Sequence, residues 1–212
     1  TGTASFTPTD DNIYEGNETG IVAISTVSGG SATEDGTQSV TITINEDETA
    51  PVVNLSINNS SIAENSDGTI TVTATLSFAT IINTTVVIDT SGTATEGTDY
   101  GSISDITINA GDTTGTATFD PTDDSIYEGN ETATVSIASV VGADAGSTTS
   151  QTITITDNES APTVTLATSA TSIAENAGSS LTLTATLSVA TTADVTVGIS
   201  TSGTGTEGTD YS

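Results

Sequence analysis

The chain contains no Lys, Arg or His, so none of its 28 carboxylates has a side-chain cation to face. Side-chain salt bridges are excluded, and so is activation of a Ser or Thr nucleophile by His or Lys. Cys is absent too, which removes disulfides and, together with the missing His, zinc sites of the ordinary kind. There is no Trp or Met, and aromatic residues make up 3% of the chain. Any core must therefore be built from Val, Ile, Leu and Ala, with Phe and Tyr as occasional anchors. No apolar run approaches the roughly 20 residues of a membrane-spanning helix, and no signal peptide is visible.

These absences exclude whole classes of function. A formal net charge of −28 repels nucleic acid and anionic membranes. No cationic donor exists to stabilise an oxyanion or a phosphate. A paired-carboxylate glycosidase remains chemically conceivable, but the aromatic lining of a sugar cleft is missing. The chain reads as a non-enzyme. Asn-x-Ser/Thr triplets begin at Asn17, Asn54, Asn58, Asn59, Asn83, Asn130 and Asn158, as expected by chance in a chain so rich in Ser and Thr.

What is present is repetition. Asp10-Asp11-Asn12-Ile13-Tyr14-Glu15-Gly16-Asn17-Glu18-Thr19 returns as Asp123-Asp124-Ser125-Ile126-Tyr127-Glu128-Gly129-Asn130-Glu131-Thr132, 113 positions later. Ser61-Ile62-Ala63-Glu64-Asn65 and Thr95-Glu96-Gly97-Thr98-Asp99-Tyr100 each return 111 positions later. The two-residue difference falls in the Gly-rich loop over residues 28–39, an insertion that leaves the register intact. A period of about 111 residues suits whole domains rather than solenoid turns.

Ile70, Val72, Ala74, Leu76 and Phe78 alternate with Thr and Ser, the pattern of a half-buried strand, and Leu181, Leu183, Ala185, Leu187 and Val189 repeat it. Shorter alternating runs lie at 86–88, 103–108, 116–119, 134–137 and 153–155. No helical period competes with them. About seven short strands per period predict an all-β fold of tandem immunoglobulin-like antiparallel β-sandwiches. Pro51 and Pro162, each after an acidic phrase, mark the joints. The expected frame is the C-terminal half of one repeat over 1–49, a complete repeat over 50–160 and the N-terminal half of the next over 161–212.

The acids of the complete repeat gather at loops and strand ends: Glu64, Asp99, Asp123, Asp124, Glu128, Glu131, Asp157 and Glu159. In a sandwich such positions converge on one end. Only oxygen ligands are available, and a hard cation of flexible coordination, above all Ca2+, takes six to eight of them. Acidic loops are commonly just solvated faces, but such faces normally interleave Lys or Arg, and none is here. Tyr14, Tyr100, Tyr127 and Tyr211 read as packing anchors, and Gly16, Gly97, Gly129 and Gly208 as turn residues.

The two repeated phrases, with Gly92-Thr93-Ala94 before the second and with Ile153-Thr154-Ile155-Thr156-Asp157-Asn158-Glu159, resemble the Calx-β domain of sodium/calcium exchangers, integrin β4 and large bacterial surface proteins. The resemblance runs along the whole chain. It implies a seven-strand sandwich whose calcium ligands cluster at one end, beside the joint. On that resemblance Glu64, Asp99, Asp123, Asp124, Glu128 and Asp157 match ligand positions, with Glu131 and Glu159 beside them. In the partial repeats the same positions are Asp10, Asp11, Glu15, Glu18 and Asp47, and then Glu175 and Asp210. Runs of three acids in calcium-binding members are here Asp123-Asp124-Ser125 and Asp157-Asn158-Glu159, which implies fewer or weaker ions.

The expected function is a calcium-binding structural repeat of an extracellular stalk, adhesin shaft or filament on a bacterial surface. Its partners are neighbouring repeats, head-to-tail self-assembly included, and calcium stiffens the joints. The alternatives are a calcium-sensing regulatory module or a ligand-binding adhesin domain.

Overall fold

The computed structural model describes residues 1–11 and 13–212; Asn12, in the first copy of the acidic phrase, lies outside them. Fifteen strands and no helix occur among the described residues. In chain order they are β1 (Glu18–Ala23), β2 (Ser39–Ile44), β3 (Val52–Ile57), β4 (Ser61–Ala63), β5 (Ile70–Leu76), β6 (Thr84–Gly92), β7 (Ile106–Ile108) and β8 (Thr114–Phe119). Then follow β9 (Ile126–Tyr127), β10 (Glu131–Val141), β11 (Asp144–Ala145), β12 (Ser150–Thr156), β13 (Val164–Thr168), β14 (Leu183–Leu187) and β15 (Ala190–Thr191).

Two sheets make the central sandwich, a five-stranded one ordered β4-β12-β10-β6-β7 and a four-stranded one ordered β11-β3-β5-β8. Alternation decides which side chains face inward. Ile70, Val72, Ala74 and Leu76 of β5 are buried, and Thr71, Thr73 and Thr75 between them face outward, where β-branched polar residues suit a wet pleat. Val53, Leu55, Val86, Ile106, Ile108, Phe119, Val135 and Ile153 close the core from the other strands. The Tyr100 ring stacks on Phe119 with centroids 4.8 Å apart, so Tyr100 is a packing anchor, as expected.

The sheets are mixed rather than purely antiparallel. The first strand run breaks at Asn58-Asn59-Ser60: β3 pairs antiparallel with β5, whereas β4 crosses to the other sheet and runs parallel to β12. The parallel register sets Thr156 opposite Ala63, so the next residues, Glu64 and Asp157, leave the sheet side by side. β11 also runs parallel, beside β3. A bulge between Ile137 and Ser139 resets the long β10–β6 register.

Residues before and after this sandwich form two-stranded pieces, β1–β2 and β13–β14, both antiparallel. Their apolar residues are repeat counterparts of core positions but remain open. Phe119 is 0% exposed and its counterpart Phe6 45%; Leu55 is 2% exposed and its counterpart Leu166 57%. All seventeen buried hydrophobic residues lie between Val53 and Ile155.

Gly92 ends β6 where the β10 backbone comes closest. Its φ is +141°, and an added Cβ would stand 2.0 Å from the Thr132 carbonyl oxygen. That carbonyl accepts hydrogen bonds from the N–H of both Thr93 and Ala94. The loop carrying Asp99 therefore starts from a contact only glycine permits. We expect Gly92→Ala to cost at least about 2 kcal/mol in urea unfolding. Gly101→Ala, where the new Cβ would meet only the Asp120 carbonyl at 3.9 Å, should cost less than about 1 kcal/mol.

Candidate metal centre

Two carboxylate clusters form at one end of the sandwich. Glu64, Asp157 and Glu159 make one, and Asp99, Glu128 and Glu131 the other; within each, one oxygen per residue lies within 4.8 Å of the others. Glu64 and Asp99 are buried and the remaining four half-buried. Like charges about 4 Å apart near a protein surface repel by about 4 kcal/mol, and no side-chain cation relieves them.

Among the described residues, backbone N–H groups supply most of the internal compensation, and the Asn158 side-chain amide adds a hydrogen bond to Glu159 Oε1 at 3.4 Å. Glu64 Oε1 accepts a hydrogen bond from the Asp124 N–H at 3.0 Å, and the Glu64 N–H donates to the Thr156 carbonyl. Asp157 Oδ2 accepts from Glu128 N–H at 2.8 Å and from Gly129 N–H, while its Oδ1 accepts from Glu159 N–H at 2.7 Å. Asp157 thus joins the clusters: it belongs to the first and fastens the loop that carries Glu128 of the second. Gly129 turns that loop at φ +77°. Asp99 Oδ2 accepts from the Thr95 N–H at 2.6 Å, which holds its carboxylate against its own turn.

The proton affinities follow from these contacts. Burial works against the charge of Asp157, but the N–H groups of Gly129, Glu159 and Glu128 hold its carboxyl below the usual Asp value. Burial, then the neighbouring Asp99 charge, pushes Glu131 up to about 7. Burial is also the main cause that raises Glu64, Glu128 and Glu159. Asp123 is exposed and Asp124 caps the Ile126 N–H at 2.7 Å; neither carboxylate joins a cluster. They nevertheless lie close enough for Asp123 to raise Glu159 and Asp124 to raise Glu64.

The earlier half-repeat carries a copy of the arrangement. Asp10, Asp11, Glu15, Glu18 and Asp47 line one recess together with Glu46 and Glu48. Glu46 was not singled out from the sequence, yet it performs the Asp157 role: its Oε2 accepts from the Glu15 and Gly16 N–H groups, both at 2.6 Å. Alignment across the loop insertion, 111 positions back from Asp157, would have found it. Glu48 donates its N–H to Glu46 Oε1 at 3.1 Å and clusters with Asp10 and Asp47. The hydrogen bond between the two side chains holds Glu46 at about 2 and Glu48 at about 7. In the later half-repeat Asp210 Oδ2 accepts from Thr206 N–H at 2.7 Å, as Asp99 does from Thr95. Glu175 and Asp210 are exposed and join no carboxylate cluster among the described residues.

One atom bears directly on a cation. Glu159 Oε2 is buried and has no hydrogen-bond partner among the described residues. A buried carboxylate oxygen on a residue clustered with two further carboxylates suits a hard, oxygen-seeking ion.

The chain is thus a β-sandwich repeat flanked by two-stranded portions of like repeats, with carboxylate clusters at one end of the sandwich. It belongs to the Calx-beta domain family, whose model matches residues 3–48, 46–159 and 157–212. No curated protein matches it significantly. Among solved structures it is similar to the apo-form Calx CBD1 domain, at 19% identity over 51% of this chain and 99% of that one, TM-score 0.44. It is also similar to CBD12 from CALX1.2, at 20% identity over 50% of this chain and 44% of that one, TM-score 0.44.

The pH dependence of the metal-free protein follows from Glu131. A carboxyl whose folded value lies above its unfolded one binds more protons in the folded state. Stability therefore falls as pH rises between about 4.5 and about 7. Asp157 acts oppositely, its contribution being lost only as pH drops below the usual Asp value. Melting in chelator should give a higher midpoint near pH 5 than near pH 7.5, and Glu131→Gln should flatten that slope.

Proposed function

We propose that this chain is a calcium-binding structural segment of a longer extracellular or cell-surface protein, in which Ca2+ stiffens the joints between repeats. The observation that carries the reading is the orphaned Glu159 oxygen inside the Glu64–Asp157–Glu159 cluster. These three residues would hold one ion, and Asp99, Glu128 and Glu131 another. A bound cation supplies positive charge where the chain has none. Glu159 stands three residues before Pro162, so an ion there fixes the end of one repeat where the next begins.

Near-identical motifs in successive repeats favour a shaft over a sensor, because repetition multiplies length while a sensor needs few copies. The open apolar faces around β1–β2 and β13–β14 are complementary halves in repeat register. Each closes when the rest of its repeat is supplied, by contiguous chain or by another copy joined head to tail. The second route is a heterologous contact and builds a filament. A bacterial surface is the setting that suits such an array, and no catalytic step is assigned to it.

Extracellular calcium modules have dissociation constants of about 10⁻⁴ to 10⁻³ M, and saturation to 100 times that constant stabilises folding by about 2.7 kcal/mol. Titration calorimetry and thermal melting at pH 7.5 should show millimolar Ca2+ binding and a raised midpoint, with Mg2+ giving a smaller rise. Glu131→Gln/Glu159→Gln should melt higher than the parent in chelator, since repulsion is relieved, and lose the calcium response. An unchanged midpoint in calcium, or a variant that responds as the parent does, would sink the proposal.

A further inference from the structure

A second contact lies at the same end of the sandwich and needs no metal. β15 runs parallel to β9, with Ala190 opposite Ile126 and Thr191 opposite Tyr127. β9 is the middle of the acidic loop of the complete repeat, and β15 lies in the turn that follows β14 of the next one. The pairing is therefore a strand bridge across a joint.

Both sides of the bridge have copies one repeat earlier. Ile126-Tyr127 corresponds to Ile13-Tyr14, and Ala190-Thr191 to Ala79-Thr80. At that earlier joint no bridge occurs among the described residues, and the apolar side chains around it are open. Ile13 is 45% exposed, Phe78 43%, Ile81 50% and Ile82 38%. At the later joint the counterparts of Ile13 and Phe78, which are Ile126 and Val189, are half-buried. The same sequence elements are thus seen seated at one joint and unseated at the other.

We propose that the turn between β5 and β6 is a docking element whose partner is the acidic loop of the preceding repeat. Residues 79–80 seat on residues 13–14 as 190–191 seat on 126–127, and Phe78, Ile81 and Ile82 cover Ile13. This gives the exposed cluster at 78–82 an occupant of defined sequence and register. It also gives successive repeats a backbone-mediated orientation separate from any ion, with the two-residue parallel bridge as the recurring unit of the joint.

The absence of Cys from the chain makes engineered pairs a clean test. Facing positions in a bridge fall within the Cα separation a disulfide requires, about 4.4 to 6.8 Å. In the full chain, at high dilution and in chelator, Ile126→Cys/Ala190→Cys and Ile13→Cys/Ala79→Cys should both oxidise to an intramolecular disulfide. Thr26→Cys/Ala79→Cys should stay reduced. If the Ile13/Ala79 pair stays as free as that control, the docking at the earlier joint is rejected, whatever the calcium response of the protein. Hydrogen exchange of the unmodified chain provides a second readout. Amides of Tyr14 and Ala79 should be protected, and Phe78→Ser/Ile82→Ser, at two exposed positions, should lower that protection by roughly tenfold while core amides, and those of Ile13 and Thr80, which Asp11 and the repeat's own packing already hold, stay unchanged. Protection unaltered by the double substitution overturns the proposal.

Discussion

Every carboxylate in this chain must be accommodated without a side-chain cation, and the arrangement of the sandwich end depends on that constraint. The backbone becomes the source of positive charge. Asp157 draws on three N–H groups, Glu46 on three, and Glu64 and Asp99 on one each. Such bonds fix the acidic loops to strand ends and leave the core free of charge. They do not neutralise whole clusters, and the excess appears as raised proton affinity at Glu131 and Glu48. Protons, and in our reading calcium, are what remain to fill that deficit.

The geometry that gathers these acids comes from strand register rather than from sequence proximity. Glu64 meets Asp157 because β4 changes sheets and runs parallel to β12. Asp99 reaches Glu131 because Gly92 lets the two backbones approach and the Thr132 carbonyl captures the start of the loop. A sheet slip of one residue would turn each of these side chains to the other face. The hydrophobic alternation that specifies the core therefore also specifies the site.

The same logic links repeat to repeat. A cluster at a strand end lies beside the joint because the last strand of one repeat leads directly into the first of the next. Asp157 and Glu159 are thus part of the core architecture through β12 and part of the connection through Pro162. The β9–β15 bridge adds backbone pairing to that connection.

Much of this was legible before folding, because side-chain alternation and repetition are properties of the chain itself. The Thr-interleaved runs at 70–76 and 153–155 indicated strands, the period indicated tandem repeats, and the near-verbatim phrases at Asp10 and Asp123 marked the acidic loops. Gly16, Gly97, Gly129 and Gly208 proved to be turn residues with φ between +75° and +85°. Phe78 and Val189 continued the alternation but fall beyond β5 and β14, since period alone does not say where pairing stops. The parallel placement of β4, the division of the acids into two threes, the exclusion of Asp123 and Asp124 from both, and the part played by Glu46 were decided only in three dimensions. The physical reason is that each depends on which backbone N–H or neighbouring strand a carboxylate meets across about 30 to about 90 residues of chain. Local pattern encodes which face a side chain takes, whereas tertiary register alone decides its company.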